Sequence, residues 1–164
     1  MNSSKILTII FVLLFSFFGN IMLSQGFNND KLSFSNFIKR MYNSSPFEGV
    51  KVVDDYDHQY FISVLSLDKT KYPTASTMNR VAQVKAQSQA NTFFNGSVVS
   101  SDLIIKTTET KADNDKTKTI TETVESIKEN ASGFVNALEL LTNFEIEEGK
   151  RMLFIFFKEM EGKK

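Results

Sequence analysis

The 164-residue chain has no cysteine, no tryptophan, one histidine and two prolines. Without a thiol it has no disulfide, no thiolate zinc site, no iron–sulfur cluster and no cysteine nucleophile. Neither a GxSxG nucleophile turn nor an HExxH zinc helix occurs. Charge is balanced, with 19 basic against 19 acidic residues, so the chain lacks the electrostatic footprint of a nucleic-acid binder. Its length suits one domain and is short for two.

What is present begins with an apolar N-terminus. Lys5 precedes an apolar run over residues 6–23 that Ser16, Gly19 and Asn20 interrupt, and Ser24-Gln25-Gly26 places small residues at the −3 and −1 positions of a cleavage site. This pattern predicts a signal peptide over residues 1–26, with cleavage after Ser24 as the alternative cut. A retained anchor is the rival reading, because the run is close to the ~18 apolar residues that span a bilayer. The polar break at Gly19-Asn20 and the small-residue end favour cleavage, which leaves no stable membrane anchor. Export without cysteine points to a bacterial envelope rather than a eukaryotic exterior, where small domains commonly carry disulfides. The expected location is periplasmic, outer-membrane-associated or extracellular. The Asn-x-Ser triplets at Asn43, Asn95 and Asn130 read as chance matches in an Asn/Ser-rich chain.

The rest of the chain reads as an N-terminal segment over residues 27–49, a single domain over 50–160 and a charged tail over 161–164. Leu32, Phe34, Phe37, Ile38 and Met41 predict a short amphipathic helix over 30–42. Residues 50–67 read as a hairpin: Val50, Val52 and Val53 lead in, and Tyr60, Phe61, Ile62, Val64 and Leu65 return. Its tip gathers Asp54, Asp55, Asp57 and the sole histidine, His58. Carboxylates and an imidazole can share a cation or a proton. The same residues crowd hairpin ends because their side chains satisfy local backbone groups, and that reading is preferred.

Residues 76–96 form the one convincing long helix. Met78, Ala82, Ala86, Ala90 and Phe93/Phe94 recur at spacings of three and four, with Arg80, Gln83, Lys85, Gln87 and Gln89 opposite. Ser76 or Thr77 can cap its start and Asn95-Gly96 its end. Alanines in the stripe let the axis sit close to a sheet. Beyond it, residues 97–111 and 116–127 read as the arms of a Thr-rich hairpin with its turn at Asp113-Asn114-Asp115, because Thr119, Thr121 and Thr123 alternate with Ile120, Glu122 and Val124. A membrane-inserting hairpin would need one continuously apolar face, and Thr and Glu occupy both. Residues 134–146 read as a strand with Leu138, Leu140, Phe144 and Ile146 on one face, a helix over 134–142 being the alternative. Residues 147–150 turn, and 152–157 are apolar on both faces, which places that strand inside a covered sheet.

The spacing Ala82-x3-Ala86-x3-Ala90-x3-Phe94, then Val98-Val99-Ser100, Gly133-Phe134-Val135, Glu148-Gly149-Lys150 and the closing strand 152–157, resembles the LPP-twenty-like bacterial envelope lipoproteins and the N-terminal domain of flagellar assembly protein T. The likeness covers residues 76–158. It implies a compact α+β module in the envelope, with no catalytic residues to carry over. The chain departs from that pattern by lacking a lipobox cysteine.

Together these features predict an α+β fold, a largely antiparallel sheet of hairpins with the 76–95 helix packed on one face and the 30–42 helix beside it. The expected function is an exported, non-catalytic structural or protein-interaction module, needing no cofactor and meeting an envelope protein through the Thr-rich hairpin and its strand edges. The alternatives are a secreted hydrolase with a carboxylate-based site, which needs two acids about 5–10 Å apart in a cleft, and a carrier of small apolar ligands, which needs an apolar cavity of ~300 Å³ or more.

Overall fold

The computed structural model describes residues 26–55, 58–72, 74–96, 103–106 and 114–160. The expected signal segment up to residue 25 and the tail over 161–164 lie outside the described residues. The chain divides into two compact units, one reaching Pro46 and the other running from Phe47 onward. In the first, helix α1 spans Gly26–Ser44, longer than the expected 30–42. Phe34, Ile38 and Tyr42 are buried at a spacing of four, while Leu32 is exposed, so the buried stripe begins at Phe34, two residues later than the first expected apolar residue.

The second unit has the expected α+β fold. Strands β1 (Gly49–Asp55) and β2 (His58–Asp68) form the predicted hairpin, pairing from Gly49↔Val64 to Asp55↔His58. Gly49 opens β1 with φ +110°, a backbone that L side chains rarely adopt. Helix α2 (Ala75–Gly96) follows a short 3-10 turn, and the three-residue β3 (Ile104–Lys106) then lies parallel to β1. Helices α3 (Asn114–Lys128) and α4 (Ala131–Asn136) precede the closing hairpin of β4 (Glu139–Ile146) and β5 (Arg151–Glu159). The sheet order is β3-β1-β2-β5-β4, antiparallel except for β3. β5 is an interior strand with residues 153–156 buried, as its two-faced apolar pattern requires.

α2 carries the packing. Met78, Ala82, Ala86, Ala90, Phe93 and Phe94 are all buried, the stripe expected from their spacing. Its cap is Thr74, one residue before the helix, rather than Ser76 or Thr77: the Thr77 amide donates to Thr74 Oγ1 at 3.1 Å. Met78, Ala82 and Ala86 pack with Leu65, Leu67, Phe154 and Phe156 of the central strands. Further along, Ala90, Phe93 and Phe94 join Val52 and Phe61 of the sheet with Ile120 and Val124 of α3 and Val135 of α4. There Phe61, Phe93, Phe94 and Phe134 form a ring cluster with centroid separations from 5.1 to 5.7 Å. Each fully buried phenylalanine contributes about 1.5–3 kcal/mol, and edge-to-face contacts add about 0.5–1.5 kcal/mol. Two polar ties fix the helix across the sheet: Ser63 Oγ donates to Gln89 Oε1 at 2.6 Å, and Gln83 Nε2 donates to the Leu138 carbonyl at 3.1 Å.

The Thr-rich hairpin is not formed. Residues 114–128 are helical, because Ile120, Val124 and Ile127 recur at spacings of four and three and turn toward Phe93 and Phe94. Alternating threonines gave a period of two, but of the residues between them Glu122 is exposed while Ile120 and Val124 are buried; burial of the apolar triplet decides the structure. Thr123 Oγ1 bonds back to the Thr119 carbonyl at 2.9 Å, which lets a threonine sit inside the helix. Of the first expected arm only residues 103–106 are described; 97–102 and 107–113, which include Asp113 of the expected turn, lie outside. Residues 131–136 are likewise helical, so the strand expected from 134 begins at Glu139.

β4 also breaks its expected one-face pattern. The pairing runs Leu140↔Phe156 and then Thr142↔Ile155, leaving Leu141 as an extra residue. Leu140 therefore shares the α2 face with Phe156, whereas Phe144 shares the opposite face with Leu153. The β4–β5 turn does follow expectation. Glu147, Glu148 and Gly149 take φ of 51°, 56° and 83°, and the Gly149 amide closes on the Ile146 carbonyl at 3.1 Å. A Cβ on Gly149 would lie 3.0 Å from Glu145 Oε2.

Ala86→Leu should lower unfolding stability by about 1–3 kcal/mol, because added methylenes drive α2 off the sheet. Val84→Leu on the exposed side of the helix should change it by less than about 0.5 kcal/mol. Urea titration of the two variants measures both.

Candidate functional site

The first place to look is the β1–β2 hairpin tip, where the sequence concentrates acids beside its only histidine. Successive residues of a strand point to opposite faces. Asp54 therefore lies on the face of Val52, buried and opposite Gln59, whereas Asp55 lies on the other face opposite His58. Asp57 lies outside the described residues. The pleat separates the acids that the sequence places together.

The residue the structure brings to His58 is Glu159, at the far end of β5. Its Oε1 lies 2.6 Å from His58 Nδ1, with the two side chains 56% and 50% exposed. His58 stacks on Tyr60 with centroids 6.1 Å apart, Tyr60 meets Phe157 at 6.2 Å, and the Met160 amide donates to the Gln59 carbonyl at 2.7 Å. These contacts fasten the end of β5 to the hairpin. The pairing of Tyr60 with Glu159 in the β2–β5 register creates the His58–Glu159 contact. Nothing in the local sequence marks it, because the partners are 101 residues apart. Among the described residues no group of three His, Asp or Glu side chains is placed to hold a metal ion.

A second polar cluster sits at the opposite end of the sheet. Glu48 accepts from the Ser66 amide at 3.2 Å, from the Ser66 hydroxyl in a short contact, and from Arg151 Nη2 at 3.3 Å. Arg151 Nη1 also donates to Glu147 at 3.1 Å, and Lys69 Nζ to Glu145 at 2.5 Å. The Thr70 hydroxyl and amide both donate to Asp68 Oδ1, at 2.7 and 2.9 Å. These bonds hold the Asp68 carboxyl below its ordinary value of 3.8, with Lys71 and Arg151 adding to the effect. The chemistry is that of a clasp. Every charge in it meets an opposite charge or an amide, and the serine has a carboxylate but no imidazole to take its proton.

A hollow of about 510 Å³ runs along the exposed side of α2, lined by Val84, Gln87, Ser88, Asn91, Thr92 and Asn95. Five of these six residues carry an amide or a hydroxyl, and none carries an acid or a base. Val84, 65% exposed, is its one large apolar side chain. Among the described residues no helix is long and apolar enough to cross a membrane.

The remaining feature is the margin of the sheet. Among the described residues β4 pairs with β5 alone and forms one edge, while the other edge is the three-residue β3. The eight residues of β4 are exposed or half-buried throughout, and Leu140 is 37% exposed. An edge strand presents a row of amides and carbonyls that a further strand can take up. The sequence gives this strand no special mark, because edge position follows from sheet order. Comparison with protein-family models, curated proteins and solved structures finds no match.

Glu48→Ala should cost about 1–3 kcal/mol, since it strips the partly buried Ser66 amide and hydroxyl of their acceptor. Glu147→Ala, which removes only an exposed pair to Arg151, should stay within about 0.5 kcal/mol. Thermal unfolding of both variants separates the clasp from ordinary surface charge.

Proposed function

We propose that the chain is an exported, non-catalytic protein-interaction module of a bacterial cell envelope, and that its contact is the outer edge of β4 rather than a Thr-rich hairpin. The observation that carries this reading is the eight-residue edge strand, joined on its inner side to the interior strand β5. A partner strand added there gains main-chain hydrogen bonds, and the exposed Leu140 and Asn143 give it side chains to read. Export is supported by Lys5 and the apolar run over 6–23 with its small-residue end. The reading also draws on the resemblance to envelope modules carried by the Ala82-x3-Ala86-x3-Ala90-x3-Phe94 spacing.

The test is affinity capture from bacterial envelope fractions with the wild-type chain and two single variants, Thr142→Pro and Asn143→Pro. Successive amides of a strand point to opposite edges, so one proline removes an outward donor and the other a β4–β5 bond. The variant that keeps the wild-type melting temperature is the outward one. It should lose the captured partner; capture that survives in it, or no partner with the wild type, contradicts the proposal.

A further inference from the structure

We infer that Asn95 is a site of covalent modification: it loses its side-chain amide to the Gly96 backbone nitrogen and becomes aspartate or isoaspartate at the end of α2. The Gly96 nitrogen attacks Asn95 Cγ, the bond from Cγ to Nδ2 breaks, and ammonia leaves with the proton that Gly96 gives up. Water then opens the resulting succinimide at either carbonyl, one opening giving aspartate and the other isoaspartate. Water is the one co-reactant. The modification is independent of the proposed β4 contact.

Three observations place the reaction here. Asn95-Gly96 is the one Asn-Gly pair of the sequence; glycine has no Cβ to hinder the ring closure, whereas every other asparagine is followed by a residue with a side chain. Both residues are exposed, and among the described residues a Cβ on Gly96 would have nothing within 4 Å. They are the last two residues of α2, and a helix opens first at its ends. Asn91 gives the contrast on the same helix. It lies a turn further in and is followed by Thr92, whose hydroxyl bonds back to the Ser88 carbonyl at 3.0 Å. The product alters the surface of α2. Asn95 lines the hollow with Gln87, Ser88 and Asn91, and its conversion supplies the first acid among the lining residues. That carboxylate meets the negative end of the helix dipole, which disfavours it and loosens the turn that carries Phe93 and Phe94.

Ageing the chain expressed from residue 1, native and in guanidinium, at neutral and mildly alkaline pH tests this. Mass spectrometry of the tryptic peptide over residues 86–106 reads the product, and its fragment ions separate Asn95 from Asn91. Labelling by an isoaspartyl methyltransferase reads the isoaspartate. Native conversion at Asn95 should outrun that at Asn91, quicken with pH, and stay within about tenfold of the denatured rate, which corresponds to an opening cost of about 1.4 kcal/mol. Gly96→Ala, whose Cβ enters open space, keeps the helix and should leave Asn95 intact over the interval in which the wild type converts. Asn95 that stays intact in the native chain while the denatured chain converts overturns the inference, because α2 then closes the site. So does a chain that converts in neither state, or conversion that is unchanged in Gly96→Ala.

Discussion

The close seating of α2 on the sheet is the constraint on which the rest of this structure depends. Ala82 and Ala86 present almost no side chain, so the helix can lie against Leu65, Leu67, Phe154 and Phe156 without a gap. At Ala90 the stripe changes to Phe93 and Phe94, and the same helix becomes the wall on which α3 and α4 pack. One helix thus serves two roles along its length. Ser63 to Gln89 and Gln83 to the Leu138 carbonyl fix its position along and across the strands. The ring cluster around Phe61 then joins the two hairpins, because Phe134 precedes β4 and Phe61 sits in β2.

Where the sequence was legible, the signal was burial repeated at one period. The α2 stripe is read in this way, while the interior strand β5 is read from its two-faced apolar run and the turn from residues 147–150. Residues 114–128 show how the same reasoning misleads. Threonines alternate there with a period of two, but threonine is tolerated in either setting; Ile120, Val124 and Ile127 are the residues with apolar area to bury, and their spacing is helical. The face assignment of β4 failed for a different reason. One extra residue at Leu141 inverts the alternation, and no residue type announces it. The hairpin-tip acids could be located in the sequence, but their separation by the pleat and the arrival of Glu159 depend on strand register across the whole chain.

The two ends of the sheet are closed in contrasting ways. At one end His58 and Glu159 form an exposed pair, a type of contact that contributes little to stability. At the other, Glu48 draws the segment before β1 onto Ser66 and Arg151, so three parts of the chain share one carboxylate. His58, which the sequence offered as chemistry, is paired with Glu159 across β2 and β5. Among the described residues β4 pairs with β5 alone, and that is why the functional proposal rests on it.

Native-state hydrogen exchange tests the central role of α2 most directly, because it reports which backbone hydrogen bonds open together. If α2 is the wall for both parts of the core, amides around Ala82, Ala86 and Ala90 share the slowest class with those of β2 and β5, and all respond to denaturant as one unit. Early opening of α2 while β2 and β5 stay protected would contradict the account, since the sheet would then stand without its helix.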